Sequence, residues 1–158
     1  MAADIFLKIQ GIDGESQDSQ HKNEIELLSW SWAETQTGSA SKGSGMGSGK
    51  VEVHDMTFTK NIDKATVNLI KACATGNHIP KADLSMRKAG DGQKEYLHIT
   101  LEDVLVSSYS TGSGGESPTE NISLNFGKFT FEYFAQNNQG TMTSVGKAGW
   151  DVKANKAV

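Results

Sequence analysis

Gly49-Lys50, closing a run that also holds Gly38, Gly43, Gly45 and Gly47, is the pair whose surroundings most invite phosphate chemistry. A phosphate-cradling P-loop needs glycine five residues before the glycine of that pair, and a hydroxyl after the lysine to reach magnesium. Ser44 and Val51 stand there instead. The dinucleotide-binding pattern fails too, since Gly43-Ser44-Gly45 is followed by Ser48 where the third glycine belongs. The run lies between strand-like segments, so no helix N-terminus follows to hold an anion. Among the histidines His21, His54, His78 and His98, no pair has metal-ligand spacing. His54 and Asp55 are adjacent, and neighbours on a strand point to opposite faces. Cys73 falls on an apolar helical stripe, where a thiol packs as a small hydrophobe and stays unreactive. Ser107, Ser108 and Ser113 lack the Gly-x-Ser-x-Gly elbow that exposes a nucleophile. These residues predict no catalytic site, no bound cofactor and no metal.

The elements that would position such groups are mostly strands. Period-two alternation recurs in Ile5-Leu7-Ile9, Ile25-Leu27, Val51-Val53, Leu97-Ile99-Leu101 and Ile122-Leu124-Phe126. At Leu27-Leu28 the phase shifts, so that Leu28, Trp30 and Trp32 share a face, which predicts a bulge or a strand covered on both sides. The phase shifts again into Met56-Phe58, and Phe126 gives way to Phe129, Phe131 and Tyr133. So many short strands suit a sandwich or barrel. One segment, 63–74, places Ala65, Leu69, Ala72 and Cys73 at helical spacing, with Asp63 as its N-cap and Gly76 as its left-handed stop. The Gly/Ser-rich segment 37–49 carries nothing that drives a core and reads as a long flexible loop. Segment 111–118 reads as a turn.

A chain of 158 residues fits a single domain, 1–158. Its 15 basic and 19 acidic side chains leave a formal net charge of −4 and are interspersed, as on a solvated surface. No concentrated basic face is available for nucleic acid. One cysteine excludes an intrachain disulfide. Asp4 interrupts the N-terminal apolar residues and no basic region precedes them, so no signal peptide is expected. No apolar run is long enough to insert in a membrane.

Several stretches resemble the Hcp family of type VI secretion. They are Ile5-Phe6-Leu7-Lys8-Ile9 with Gly11-Ile12-Asp13-Gly14-Glu15-Ser16, and His21 with Glu24-Ile25-Glu26-Leu27-Leu28-Ser29-Trp30-Ser31-Trp32. Phe58-Thr59-Lys60, Asp63-Lys64-Ala65, Arg87-Lys88-Ala89-Gly90 and Val104-Leu105-Val106-Ser107-Ser108-Tyr109 continue the likeness. So do Gly114-Gly115-Glu116 and Glu120-Asn121-Ile122-Ser123-Leu124-Asn125-Phe126, in order and at comparable spacing. The stretch from 136 onward is the least distinctive, although Gly149-Trp150-Asp151 is similar to the family's last strand.

The resemblance implies a mainly β fold, a β-barrel of two sheets with one flanking α-helix, assembled as a homohexameric ring. Stacked rings would form the secretion tube, with a VgrG-type spike protein, a contractile sheath and small effector proteins as partners. The chain would be made in the cytoplasm without a signal peptide and secreted to the exterior or into target cells. A structural subunit without enzymatic activity is therefore expected. The alternative is a small β-barrel binding module using the Gly/Ser-rich loop. Ser29 and Ser31, opposite Trp30 and Trp32, are the candidates for a cargo-facing lumen. Gly43, Gly45, Met46 and Gly47 are the candidates for contacts between stacked rings.

Overall fold

Period-two alternation resolves into eleven strands around one helix among the described residues, 3–37, 50–88 and 92–158, of a computed structural model. The strands are β1 (Ala3–Ile9), β2 (Ile25–Glu26), β3 (Ser29–Ser31), β4 (Glu34–Gln36), β5 (Val51–Val53) and β6 (Met56–Asn61). The helix α1 (Thr66–Thr75) follows, then β7 (Ile79–Lys88), β8 (Glu95–Gly112), β9 (Thr119–Gln136), β10 (Met142–Asp151) and β11 (Lys156–Ala157). One sheet runs β11-β10-β9-β8-β7-β1-β2, all neighbours antiparallel, and a branch joins β9 to β6 and β6 to β3. β4 and β5 form a separate two-stranded ribbon. The expectation of two sheets with one helix holds, but among the described residues the barrel does not close.

Two long strands build both layers. Ile99 and Leu101 of β8 are buried at odd positions, whereas Val104 and Val106 are buried at even ones. β9 changes phase at the same level, from Ile122, Leu124 and Phe126 to Phe129. Asp103, between the two phases of β8, takes φ 55°, and Gly127 stands across from it. A Cβ on Gly127 would lie 3.2 Å from that of Asp103, so a larger residue there would make its neighbours give way at the crossing. The bend folds the second half of β8 and the first half of β9 into a layer with β6 and β3. Between the layers lie Leu7, Ile25, Met56, Phe58, Leu84, Ile99, Leu101, Ile122 and Leu124, each at most 1 % exposed. Burial of a side chain of this size contributes about 1.5–3 kcal/mol before entropy is counted.

The Leu27-Leu28 step is a change of partner, not a strand covered on both sides. β2 pairs with β1, β3 pairs with β6, and the step between them buries Leu27 while leaving Leu28 54 % exposed. Leu28 therefore does not share the packed face of Trp30 and Trp32, as the alternation had suggested.

Helix α1 starts later than Asp63. Its N-cap position is Ala65, which has no side-chain cap. Asp63 still serves the entry: its carboxylate accepts from Ala65 N–H at 2.8 Å, while its own N–H donates to Thr66 Oγ1 at 3.0 Å. Gly76 ends the helix at φ 64°, as expected. Ala65, Leu69 and Ala72 are buried, and Cys73 is half-buried against the core. No described helix is long and apolar enough to cross a membrane.

Candidate functional site

Ser29 and Ser31 lie on the outer side of the β3–β6–β9–β8 layer, and both are exposed. Their orientation follows from Trp30, whose ring packs inward against the core and whose Nε1–H donates to Met86 Sδ at 3.0 Å. Trp32, with ring centroids 4.8 Å from Phe129 and 5.0 Å from Phe131, donates from Nε1 to His54 O at 2.9 Å. With the tryptophans so fixed, alternation turns the serines outward.

The register extends this face across four strands. Ser29 stands opposite Thr59, Thr59 opposite Asn121, and Asn121 opposite Ser110. The next row is Ser31, Thr57, Ser123 and Ser108. All eight side chains are small, polar and uncharged. Thr59 Oγ1 donates to Asn121 Oδ1 at 2.7 Å, and Ser123 Oγ lies 2.7 Å from Ser107 Oγ and 2.6 Å from Ser108 Oγ. Asp55, at one end, accepts from Ser107 Oγ at 2.6 Å and from Asn125 Nδ2 at 2.8 Å. Sequence reading found only Ser29 and Ser31 of this set. The other six depend on pairings between strands distant in sequence.

Beneath this face two ionised residues, one from β6 and one from β9, point inward. Lys60 and Glu120, cross-strand neighbours on β6 and β9, are both fully buried and paired. Lys60 Nζ also donates to Asp63 Oδ1 at 2.7 Å and to Asn61 O at 3.0 Å, using all three of its donors. Glu120 further accepts from Thr66 Oγ1 at 2.9 Å and from Tyr109 Oη. Burial, then the Glu120 carboxylate, pushes the Tyr109 phenol up to about 12. The network ties α1 to the sheet, and among the described residues no buried side-chain nitrogen or oxygen lacks a partner.

The outer face of the other layer is charged. His98 Nε2 meets Asp83 Oδ1 at 3.0 Å and its Nδ1 meets Glu95 Oε1 at 2.5 Å. Hydrogen bonds to Asp83 and then Glu95 raise its pKa to about 9, so the ring is a cation at neutral pH. Burial alone would raise the Asp83 carboxyl, but the bonds from His98 and Thr100 and the nearby Lys81 hold it below its usual range. Lys128 pairs with Glu102, and Lys147 with Glu132. Arg87 is buried over the Phe6 ring and grips Asp18 and Asp4. Its hydrogen bond and the Gln20 N–H lower the Asp18 carboxyl to about 2. Phe6 stacks on His21 at 4.3 Å, so this cluster straps the segment after β1 onto the sheet.

None of these clusters assembles an acid, a base and a nucleophile about an open cavity. Among the described residues no group of three or more His, Cys, Asp or Glu could hold a metal ion. His54 and Asp55 do not interact; Asp55 instead bonds Ser107 and Asn125. The ring-contact candidates Gly43, Gly45, Met46 and Gly47 lie outside the described residues.

An unfinished edge completes the picture. β10 is paired on one side with β9, but on the other β11 reaches only Trp150 and Asp151. From Thr143 to Ala148 the strand is exposed on both faces, with Val145 66 % and its neighbour Tyr133 of β9 50 % exposed.

Comparison with known proteins places this geometry. Residues 6–133 match the family described as type VI secretion system effector, Hcp. The chain is 56% identical to protein hcp1 of Pseudomonas aeruginosa, with 98% of each covered. It is similar to the crystal structure of Hcp1 from Salmonella typhimurium, at 45% identity, full coverage of both chains and a TM-score of 0.82. A structure of a type six secretion system protein matches 99% of this chain with a TM-score of 0.92 at 29% identity.

Proposed function

Since the chain belongs to the Hcp family of type VI secretion proteins, we propose that it is a structural subunit of the secretion tube, assembling as homohexameric rings. The observation that carries this reading is β10. A strand bare on both faces and along one edge is an aggregation hazard in a monomer, and closure with a neighbour removes it. The rings stack and are exported through the secretion apparatus. Ser29, Ser31 and the neutral face around them line the lumen that carries small effector proteins. Gly43, Gly45, Met46 and Gly47 contact the next ring. The spike protein and contractile sheath are the remaining partners. The protein performs no catalysis in this role.

Light scattering and negative-stain imaging test the reading. The wild-type chain is expected to run as a ring of several subunits, and Val145→Glu to run as a folded monomer with unchanged far-ultraviolet circular dichroism. A wild-type chain that stays monomeric at every concentration overturns it.

A further inference from the structure

The two outer faces of this molecule are chemically opposite. One carries Asp83, Glu95, His98, Glu102, Lys128, Glu132 and Lys147, mostly in ion pairs. The other offers Ser29, Ser31, Thr57, Thr59, Ser108, Ser110, Asn121 and Ser123, with Asp55 at one end already holding two donors. Strands β6 and β9 do contain ionised residues at this level, but Lys60 and Glu120 are turned inward and neutralise each other. Burying that pair brings a desolvation penalty, which a surface pair avoids. The segregation therefore keeps charge off one face while leaving it on the other.

We infer that this neutral face is a charge-indifferent contact wall for polypeptide cargo, which it meets through hydroxyl and amide hydrogen bonds centred on Thr57 and Asn121. The inference rests on the lumen reading above and adds what the lumen selects. Thr57 and Asn121 are exposed on the two central strands of this face. The side-chain hydroxyls of Ser29, Ser31, Thr57 and Ser110 are exposed and bond no other described residue. A neutral hydrogen bond exchanged with water is worth only about 0.5–1.5 kcal/mol net. A single exposed ion pair adds up to about 1 kcal/mol, roughly a fivefold change in affinity, and ring repetition would multiply it. A wall with fixed charge would thus trap cargo of one sign and repel the other. A wall of hydroxyls does neither.

The experiment uses assembled rings and one small monomeric carrier protein in an acidic and a basic version, each labelled with a fluorophore. Anisotropy measures binding at low and moderate salt, and light scattering reports ring mass in the same samples. Wild-type rings are expected to bind the two versions within about twofold of each other, with weak salt dependence. Thr57→Lys and Asn121→Lys are expected to favour the acidic version by about fivefold or more, and Thr57→Asp to favour the basic one. Both sites are exposed strand positions, where substitution changes stability by only about 0.5 kcal/mol, so the rings should persist. Lys147→Glu, on the charged face, should leave the ratio unchanged. Intact wild-type rings that bind neither version, or that prefer one by tenfold, overturn the inference. So does a ratio unmoved by Thr57→Lys and Thr57→Asp. A monomeric wild type would instead overturn the ring assignment, and the mass measurement separates the two failures.

Discussion

Lys60 and Glu120 carry large single-residue stakes because both are fully buried. Removing one member of a fully buried ion pair leaves an uncompensated charge, at a cost of about 3–5 kcal/mol. The two deletions are unequal, because Lys60 keeps Asp63 when Glu120 is neutralised, whereas Glu120 keeps only neutral donors when Lys60 is removed. Urea denaturation should therefore rank Lys60→Met below Glu120→Gln, with the double variant more stable than Lys60→Met. His98 gives a pH signature. Its folded pKa, about 9, lies above the ordinary 6.5, so its contribution is complete below pH 6.5 and is lost as pH rises through 9. A third of the side chain is exposed, so solvent screening reduces the effect to about 1 kcal/mol. The wild-type denaturation midpoint should fall relative to that of His98→Gln between pH 6.5 and pH 9; parallel curves would contradict the assignment. At this scale the sequence was readable where a residue's neighbours in the chain fix its direction, as Trp30 and Trp32 do for Ser29 and Ser31. It was opaque where a partner comes from another strand. Lys60 and Glu120 look like any of the interspersed lysines and glutamates taken for a solvated surface, and only register brings them face to face.

Elements were legible in proportion to how cleanly burial matches polarity. Helix α1 was visible from Ala65, Leu69 and Ala72, and from Gly76, whose φ of 64° is costly for any residue with a Cβ. A Cβ there meets nothing within 4 Å, so the cost is backbone strain alone. Gly76→Ala should lower stability by about 1 kcal/mol, and Gly76→Asn by less, since asparagine tolerates the left-handed region. Thermal melts of the two variants check the order. The ten-residue strand β7 was missed because polarity misreports its burial. Ser85 and Arg87 are buried on its outer face, under the strap that Asp18 and His21 help hold, while Pro80 is its second residue. The strap itself depends on Gly14, where a Cβ would fall 2.5 Å from Glu24 O. β10 was recognised only at Gly149-Trp150-Asp151, because a strand exposed on both faces has no alternation to display. The change of phase at Asp103 and Gly127 is written in the residues, yet its meaning, one strand pair bending through two layers, needs both strands together.

For the whole molecule, the distinction that matters is between what holds a subunit together and what joins subunits. The core lies between the two layers, whereas the ribbon β4–β5 stands apart as its own small sheet. Its ladder runs from Glu34 paired with Val53 to Gln36 paired with Val51, so the two ends of the intervening segment are already brought together. Nothing in the sequence of residues 38–49 except Ala40 and Met46 offers apolar area to a core. Ordering a residue costs about 1–2 kcal/mol of backbone entropy, and so glycine-rich a run has little apolar area of its own to offset it. Replacing residues 38–49 by Asn-Gly would let Thr37 and Lys50 continue the ladder around a two-residue turn with the twist that hairpins favour. Shortening the closed loop also lowers its closure entropy, by about 0.6 kcal/mol per halving of length. The replacement is therefore expected to leave the melting temperature and ring mass unchanged or slightly improved, while stacking into tubes and secretion fail together. Calorimetry, light scattering, imaging of tubes and a secretion assay read the four quantities separately. A large drop in melting temperature would assign the segment to the fold of one subunit; loss of ring mass would assign it to contacts within the ring; tubes that still form would remove it from stacking altogether.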